Sequence, residues 1–174
     1  MSSDLAAAID RTARLTGAFV LRSGETATEY FDKYQFEGRP DMLARIARAM
    51  APLVPVGTNV VAGLELGGVP VATALSLYTG VPAAFVRKRA KQYGTRRLAE
   101  GTEIDGMEVL VIEDVVNSGG QIALSANDLR ERGARVTAAL CVVDRQAGAT
   151  EALAEVGIRL RSLFTRADLE STRR

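Results

Sequence analysis

Apolar, β-branched runs alternate along this chain with segments in which apolar residues recur at the spacing of a helix. Strands that alternate with helices form parallel sheets covered by helices on both faces. The predicted fold class is therefore α/β, with a parallel-sheet core. The runs predict strands at residues 59–62, 83–86, 109–112, 136–143 and 158–160, and the periodic segments predict helices at 40–50, 69–78, 120–132, from 151 and near 166.

The N-terminal part has a different pattern, which predicts a small hood on that core. Residues 3–15 have helical spacing, with Leu5, Ile9 and Leu15 near one face. Short strands are expected at 19–21 and 30–31, around a turn. With 174 residues and no internal repeat or linker, the chain is expected to be one domain. Its expected parts are a hood at about 1–35, a core at about 40–165 and a charged segment at about 87–108.

Charge and composition exclude several classes of function. The net charge of +1 predicts neither nucleic-acid binding nor attraction to a membrane, and we find no long apolar run or signal peptide. The single cysteine, Cys141, lies in an apolar run and is expected to be a buried structural thiol. This cysteine usage predicts a cytoplasmic protein without disulfides.

The chain contains no histidine, which restricts its chemistry. A histidine base, a serine–histidine triad and most zinc sites are excluded. Any catalysis must use carboxylates, lysine, arginine, tyrosine, backbone groups or a metal held by oxygen ligands.

The most informative segment is residues 109–121, where a predicted strand is followed by acids and a glycine-rich turn. Glu113 and Asp114 are adjacent at the carboxyl end of the strand, where open α/β sheets bind ligands. The turn offers backbone N–H groups and opens a helix, whose N-terminus favours a phosphate. Acids and glycines also serve simply to turn a chain, but this uninterrupted combination favours a substrate with a phosphate, hydroxyls and a divalent metal.

This segment resembles the phosphoribosyl-pyrophosphate (PRPP) signature of the type I phosphoribosyltransferases. Asn117 and Ser118 stand where Thr-Thr or Thr-Ala is more usual, and both can still hydrogen-bond a phosphate. The resemblance implies that the two acids hold the ribose hydroxyls, with Asp114 near the reacting carbon. The residues that it implies for PRPP binding here are Glu113, Asp114, Val115, Val116, Asn117, Ser118, Gly119, Gly120 and Gln121.

A basic segment at 87–101 is either a solvated loop, a nucleic-acid patch or a functional lid with glycine hinges. It resembles the mobile loop of the orotate phosphoribosyltransferases. That resemblance implies that Lys91 is catalytic and reaches into the neighbouring subunit of a homodimer. Arg87 and Lys88 match residues that hold the pyrophosphate, and Tyr93, at a PRPP-binding position, stands where many members have histidine.

Other segments carry the same resemblance. Residues 63–68 match the pyrophosphate loop, although Gly67 stands where some members have lysine. The hood and the end of the strand at 136–143 match the orotate site, whose implied residues are Arg22, Tyr30, Phe31, Asn117 and Arg145.

The resemblance implies transfer of the phosphoribosyl group of PRPP to orotate, giving orotidine 5′-monophosphate and pyrophosphate, in pyrimidine synthesis. It implies Mg²⁺ as the cofactor, held mainly by PRPP and water oxygens rather than by side chains. Three alternatives stay open: a transferase of this fold for another base, a non-catalytic PRPP-sensing regulator, and a generic nucleotide-binding module. The last alternative would need a Gly-Lys-Ser/Thr phosphate loop, which this sequence does not contain.

Overall fold

The computed structural model describes residues 2–20, 24–89 and 97–173. Three predicted site residues, Arg22, Lys91 and Tyr93, lie outside the described residues. The strands are β1 (Arg14–Val20), β2 (Thr26–Phe31), β3 (Val60–Leu64), β4 (Ala83–Val86), β5 (Ala99–Gly101), β6 (Glu108–Val116), β7 (Arg135–Asp144) and β8 (Arg159–Thr165). The helices are α1 (Ser2–Ala13), α2 (Tyr34–Glu37), α3 (Pro40–Met50), α4 (Glu65–Thr79), α5 (Gly120–Arg130), α6 (Ala149–Glu155) and α7 (Arg166–Ser171), with a 3₁₀ turn at Ala51–Leu53.

Six strands form the central sheet in the order β5–β4–β3–β6–β7–β8. All neighbours are parallel except β5, which pairs antiparallel with β4. After β3 the chain runs through α4 to one side of the sheet, and after β6 it runs through α5 to the other side. The strand order therefore reverses between β3 and β6, and ligands of open α/β sheets bind at such a point.

Two apolar cores cover the two faces of the sheet, because buried residues of a strand alternate in direction. Leu110 and Ile112 of β6 pack with residues of α1, α3 and α4. Val109 and Val111 face the opposite side and pack with residues of α5 and α6. This arrangement confirms the predicted α/β class with helices on both faces.

Strand β6 is longer than the predicted strand at 109–112. It continues to Val116 because its last residues pair with β7, Val115 with Val143 and Val116 with Asp144. Glu113 and Asp114 therefore lie inside β6, near its paired carboxyl end, rather than after the strand.

Helix α4 begins earlier than predicted, at Glu65 rather than at residue 69. The two glycines that suggested a loop lie inside its first turns. A Cβ atom on Gly68 would lie 2.4 Å from the carbonyl oxygen of Ile112. Glycine is needed here for close contact between helix and sheet. The prediction of a loop at 63–68 was wrong, because residues 63 and 64 belong to β3 and residues 65–68 belong to α4.

The N-terminal hood also differs in detail from the prediction. Helix α1 ends at Ala13, so Leu15 belongs to β1 and pairs with Tyr30. The strands β1 and β2 form a two-stranded antiparallel sheet of their own. Helix α2 and strand β5 were not predicted. Within the described ranges, we find no helix with the length and apolar character that a membrane span requires.

Candidate active site

Asp114 is the most tightly held acid of the site. Its side chain is fully buried, and its Oδ2 forms an ion pair with Nζ of Lys33 at 2.6 Å. Its Oδ1 accepts a hydrogen bond from the backbone N–H of Val115 at 2.5 Å. The end of β6 and the segment before α2 therefore meet at this carboxylate.

Two glutamates share the environment of Asp114. Burial, followed by contact with Asp114, raises the pKa of Glu37 to about 9 and that of Glu113 to about 9. Burial also acts to raise the pKa of Asp114, but hydrogen bonds with Glu37, Glu113 and Lys33 outweigh it and lower that pKa. Three touching carboxyl groups cannot all ionise. The charge at neutral pH therefore resides on Asp114, with protons retained on the glutamates.

The first turn of α4 closes over this acid. A Cβ atom on Gly67 would lie 1.9 Å from Oδ2 of Asp114 and 3.0 Å from Nζ of Lys33. Any side chain at position 67 would displace the ion pair. The cation of Lys33 thus lies beside position 67, where the resemblance described above implies a lysine in some family members.

The predicted phosphate turn lies between β6 and α5. Gly119 adopts a φ of 77° as the N-cap of α5, and no side chain caps that helix. The first N–H groups of a helix have no partner within it, so they are free to bind an anion. Asn117, Ser118 and Gly120 are exposed around this helix start.

A cavity of about 380 Å³ lies beside the turn, between the hood and the ends of β6 and β7. It brings together four of the five residues predicted for the orotate site, and Arg22 lies outside the described residues. The backbone N–H of Arg145 donates to the carbonyl of Val116 at 2.9 Å, which fixes the start of this side chain beside β6. The lining residues are Ala27, Glu29, Tyr30, Phe31, Lys33, Val115, Asn117 and Arg145.

The basic residues Arg87 and Lys88 lie apart from that cavity, after β4. They line a second depression, of about 610 Å³, together with Glu65 and Leu66 at the start of α4. The guanidinium of Arg87 approaches Glu100 of the neighbouring strand at 3.7 Å. The start of α4 lines this second depression, and Gly67 of the same helix lies against Lys33, which lines the first cavity.

Lys33 and Glu37 contribute to the site but were not predicted as site residues. Lys33 lies two residues after the aromatic strand of the hood, and that position was the one signal available in the sequence. Glu37 ends a four-residue helix that the sequence pattern does not reveal. Its burial depends on the packing of α2 against α1, α3 and α4 and was therefore invisible in the sequence.

The arrangement fits a metal that is held through substrate oxygens. Within the described ranges, no group of three or more acidic, cysteine or histidine side chains has the geometry of a metal site. The carboxylate of Asp114 is already engaged with Lys33. A phosphate ligand with several oxygens would supply the hard donors that Mg²⁺ prefers.

Comparisons with known proteins agree with this geometry. A family model described as a phosphoribosyl transferase domain matches residues 27–157. An orotate phosphoribosyltransferase of Nocardioides sp. is 50% identical over 173 residues, which cover 99% of this chain and 97% of that protein. One from Methanocella arvoryzae is 42% identical over 153 residues, covering 88% and 87%.

Solved structures give the same result. The Mycobacterium tuberculosis H37Rv orotate phosphoribosyltransferase in complex with PRPP superposes with a TM-score of 0.84 and 33% identity, over 97% of this chain and 98% of that one. The family model spans most of the chain, and the Nocardioides relative matches over nearly its full length. The chain therefore belongs to the phosphoribosyltransferase family and, within it, to the orotate phosphoribosyltransferases.

Proposed function

We propose that this protein transfers the phosphoribosyl group of PRPP to orotate, giving orotidine 5′-monophosphate and pyrophosphate in pyrimidine synthesis. The observation that carries the proposal is the position of Asp114 and the open start of α5, next to a cavity lined by Tyr30 and Arg145. An acid, an anion site and a guanidinium are the groups that a phosphorylated sugar and an anionic base require.

PRPP binding is assigned to the end of β6 and the turn after it. The acids Glu113 and Asp114 would hold the ribose hydroxyls, and the turn at 115–121 would bind the 5′-phosphate. When bound, Mg²⁺ would neutralise charge on the departing pyrophosphate. The protein's part is to orient the ribose, and the anionic Asp114 would stabilise positive charge that develops at the anomeric carbon.

The pyrophosphate is assigned to the basic residues after β4 and to the lid. Arg87 and Lys88 line the depression beside the start of α4, where two phosphates find opposite charge. Lys91 would complete charge stabilisation on the leaving group as the lid closes and excludes water. Tyr93 would contact PRPP from the same segment.

Orotate is assigned to the cavity beneath the hood. The guanidinium of Arg145 suits the carboxylate and ring oxygens of orotate, and the ring of Tyr30 lies 5.6 Å from that of Phe19. Phe31, Asn117 and Arg22 would complete the site. Because orotate is already an anion, its ring nitrogen needs no histidine base.

We further propose that the protein is a cytoplasmic homodimer in which each lid serves the neighbouring active site. Apolar side chains on α4 support an interface, because Leu77 and Tyr78 are 84% and 55% exposed. The buried, free thiol of Cys141 supports a reducing compartment.

The test is a spectrophotometric assay with purified protein, PRPP, Mg²⁺ and orotate, in parallel with uracil and hypoxanthine. We expect loss of orotate absorbance that requires both PRPP and Mg²⁺, with no product from the other bases. Turnover of hypoxanthine or uracil instead would assign a different base. PRPP binding without turnover of any base would favour a regulator.

A further inference from the structure

Two cavities adjoin at the hood. The cavity assigned to orotate, of about 380 Å³, shares four lining residues with a smaller cavity of about 200 Å³. The shared residues are Glu29, Tyr30, Phe31 and Arg145. Arg14 lines only the smaller cavity, so it lies next to residues of the orotate cavity without lining that cavity itself.

The charges around the orotate cavity are unequally compensated. Its charged lining residues are Glu29, Lys33 and Arg145. Lys33 pairs with Asp114 at 2.6 Å, and Glu29 accepts a hydrogen bond from Nη1 of Arg14 at 3.1 Å. In the part of the chain that the structure describes, the guanidinium of Arg145 forms no ion pair. Among these three lining residues, the charge without an opposite partner is therefore the positive charge of Arg145.

The strand register and a buried acid fix the position of Arg14. Thr16 lies opposite Glu29 in the β1–β2 pair, and Arg14, two residues before Thr16, points to the same face of β1. Nε of Arg14 also lies 3.4 Å from Oδ2 of Asp10, whose side chain is only 3% exposed. Arg173 holds Asp10 through two further hydrogen bonds, at 2.8 and 3.0 Å. The guanidinium of Arg14 is therefore held by one carboxylate while it pairs with the other.

We propose that Arg14 is a positioning residue for base selection, which compensates the charge of Glu29 and so leaves Arg145 to attract an anionic base. This role rests on the proposed function, which places orotate in the cavity that Glu29 and Arg145 line. Without Arg14, the uncompensated carboxylate of Glu29 would repel the carboxylate of orotate. The affinity for an anion would fall, and the affinity for a neutral ligand of the same shape would change little.

Solvent limits the size of this effect. The side chains of Arg14 and Glu29 are 32% and 47% exposed, so water and salt screen the repulsion. The expected loss is therefore several-fold and smaller than the loss of a direct contact. Replacing Arg14 should not unfold the protein, because Asp10 keeps its ion pair with Arg173 and no buried acid is left without a partner.

The first test compares orotate with orotamide, in which a neutral carboxamide replaces the carboxylate. By titration calorimetry, Arg14→Met should bind orotate at least about threefold more weakly than wild type, and orotamide within about twofold of wild type. The KM for orotate should rise with the dissociation constant, and kcat should change less. An equal loss for both ligands would overturn the inference, because it would show that Arg14 shapes the hood rather than compensates a charge.

Arg45→Met is the matched control. It also removes an arginine that pairs with an acid of α1, since Arg45 of α3 contacts Asp4 at 2.6 Å. Neither residue lines the orotate cavity or the smaller cavity beside it. The control should leave both affinities unchanged, and a loss of orotate affinity equal to that of Arg14→Met would contradict the role of Arg14.

The second test removes the carboxylate that Arg14 compensates. Glu29→Gln alone should bind orotate more tightly than wild type, because Arg14 is then a cation without its partner at Glu29. Adding Glu29→Gln to Arg14→Met should restore orotate affinity to within about twofold of wild type, since neither charge remains. Weaker binding by Glu29→Gln than by wild type, or a double variant as weak as Arg14→Met, would refute the inference.

The wild-type protein separates this inference from the proposed function. If it does not bind orotate, or binds orotamide equally well, the assignment of the cavity to orotate fails, and the inference fails with it. If wild type binds and turns over orotate while Arg14→Met keeps the full affinity for the anion, the inference alone fails.

Discussion

At the scale of single residues, the site depends on the absence of a side chain at position 67 as much as on its charged groups. Gly67 provides no side chain, and Asp114 and Lys33 occupy the space that a Cβ atom would need. The sequence alone identified Gly67 and the acids Glu113 and Asp114. It did not show that helix α4 would bring this glycine against the carboxylate, because that contact depends on the packing of α4 on the sheet.

Replacing Gly67 with alanine tests this contact. The added Cβ would lie 1.9 Å from Oδ2 of Asp114, so the ion pair must move. We expect kcat to fall at least about tenfold and stability to fall by about 1–3 kcal/mol. Gly38→Ala is the control, since that residue has a φ of −75° and its added Cβ would lie 3.2 Å from the carbonyl oxygen of Tyr34. Steady-state kinetics and urea unfolding measure both effects. Equal losses in the two variants would refute the role of Gly67.

Lys91 is the residue on which the proposed chemistry depends most. Its replacement by alanine should lower turnover by at least about a hundredfold, because it removes charge stabilisation of the leaving group. PRPP affinity should change much less, since Arg87 and Lys88 remain. Single-turnover kinetics and calorimetry with PRPP separate the two effects. A loss of affinity as large as the loss of turnover would show that Lys91 serves only in binding.

At the scale of elements, the sequence predicted the core well and the junctions less well. The strands β3, β4, β6 and β7 were found because apolar runs signal burial on both faces. The extra length of β6 arises from pairing with β7, and the early start of α4 arises from close packing of its glycines. Both are tertiary effects. The short elements α2 and β5 carry too few residues for a periodic signal.

The last helix offers a local test of stability. Thr165 caps α7 through a capping box, in which its hydroxyl accepts from the N–H of Asp168 and its own N–H donates to that side chain at 2.7 Å. Thr165→Ala should lower the free energy of unfolding by about 1 kcal/mol and leave kcat unchanged. Ser171→Ala, at the exposed end of α7, should cost less. Urea unfolding measures both, and an equal cost would show that the cap adds no stability.

At the scale of the whole molecule, the proposed exchange of lids makes each active site depend on two chains. Mixed dimers test this directly. A Lys91→Ala subunit keeps its acids, and an Asp114→Asn subunit keeps its lid. If the lid acts across the interface, a mixed dimer of these two inactive variants contains one intact site.

Random reassembly of equal amounts of the two variants should restore about a quarter of wild-type turnover. Half of the dimers are then mixed, and each mixed dimer has one working site out of two. Reassembly with a Lys91→Ala/Asp114→Asn double variant is the control and should restore none. Mixtures that form mixed dimers but remain inactive would show that each lid serves its own subunit.

The antiparallel pairing of β4 with β5 limits how far Lys91 can reach toward a neighbouring subunit. Val86 lies opposite Ala99, and the N–H of Arg87 donates to the carbonyl of Leu98 at 2.9 Å, so both ends of the intervening segment are anchored side by side. Lys91 follows Arg87 by four residues, and a fully extended chain of that length spans at most about 14 Å. The distance of the Lys91 backbone from the end of β4 is therefore limited by the length of these four residues. If Lys91 serves the neighbouring subunit as proposed, the active site of that subunit must lie within this reach plus one lysine side chain from the end of β4.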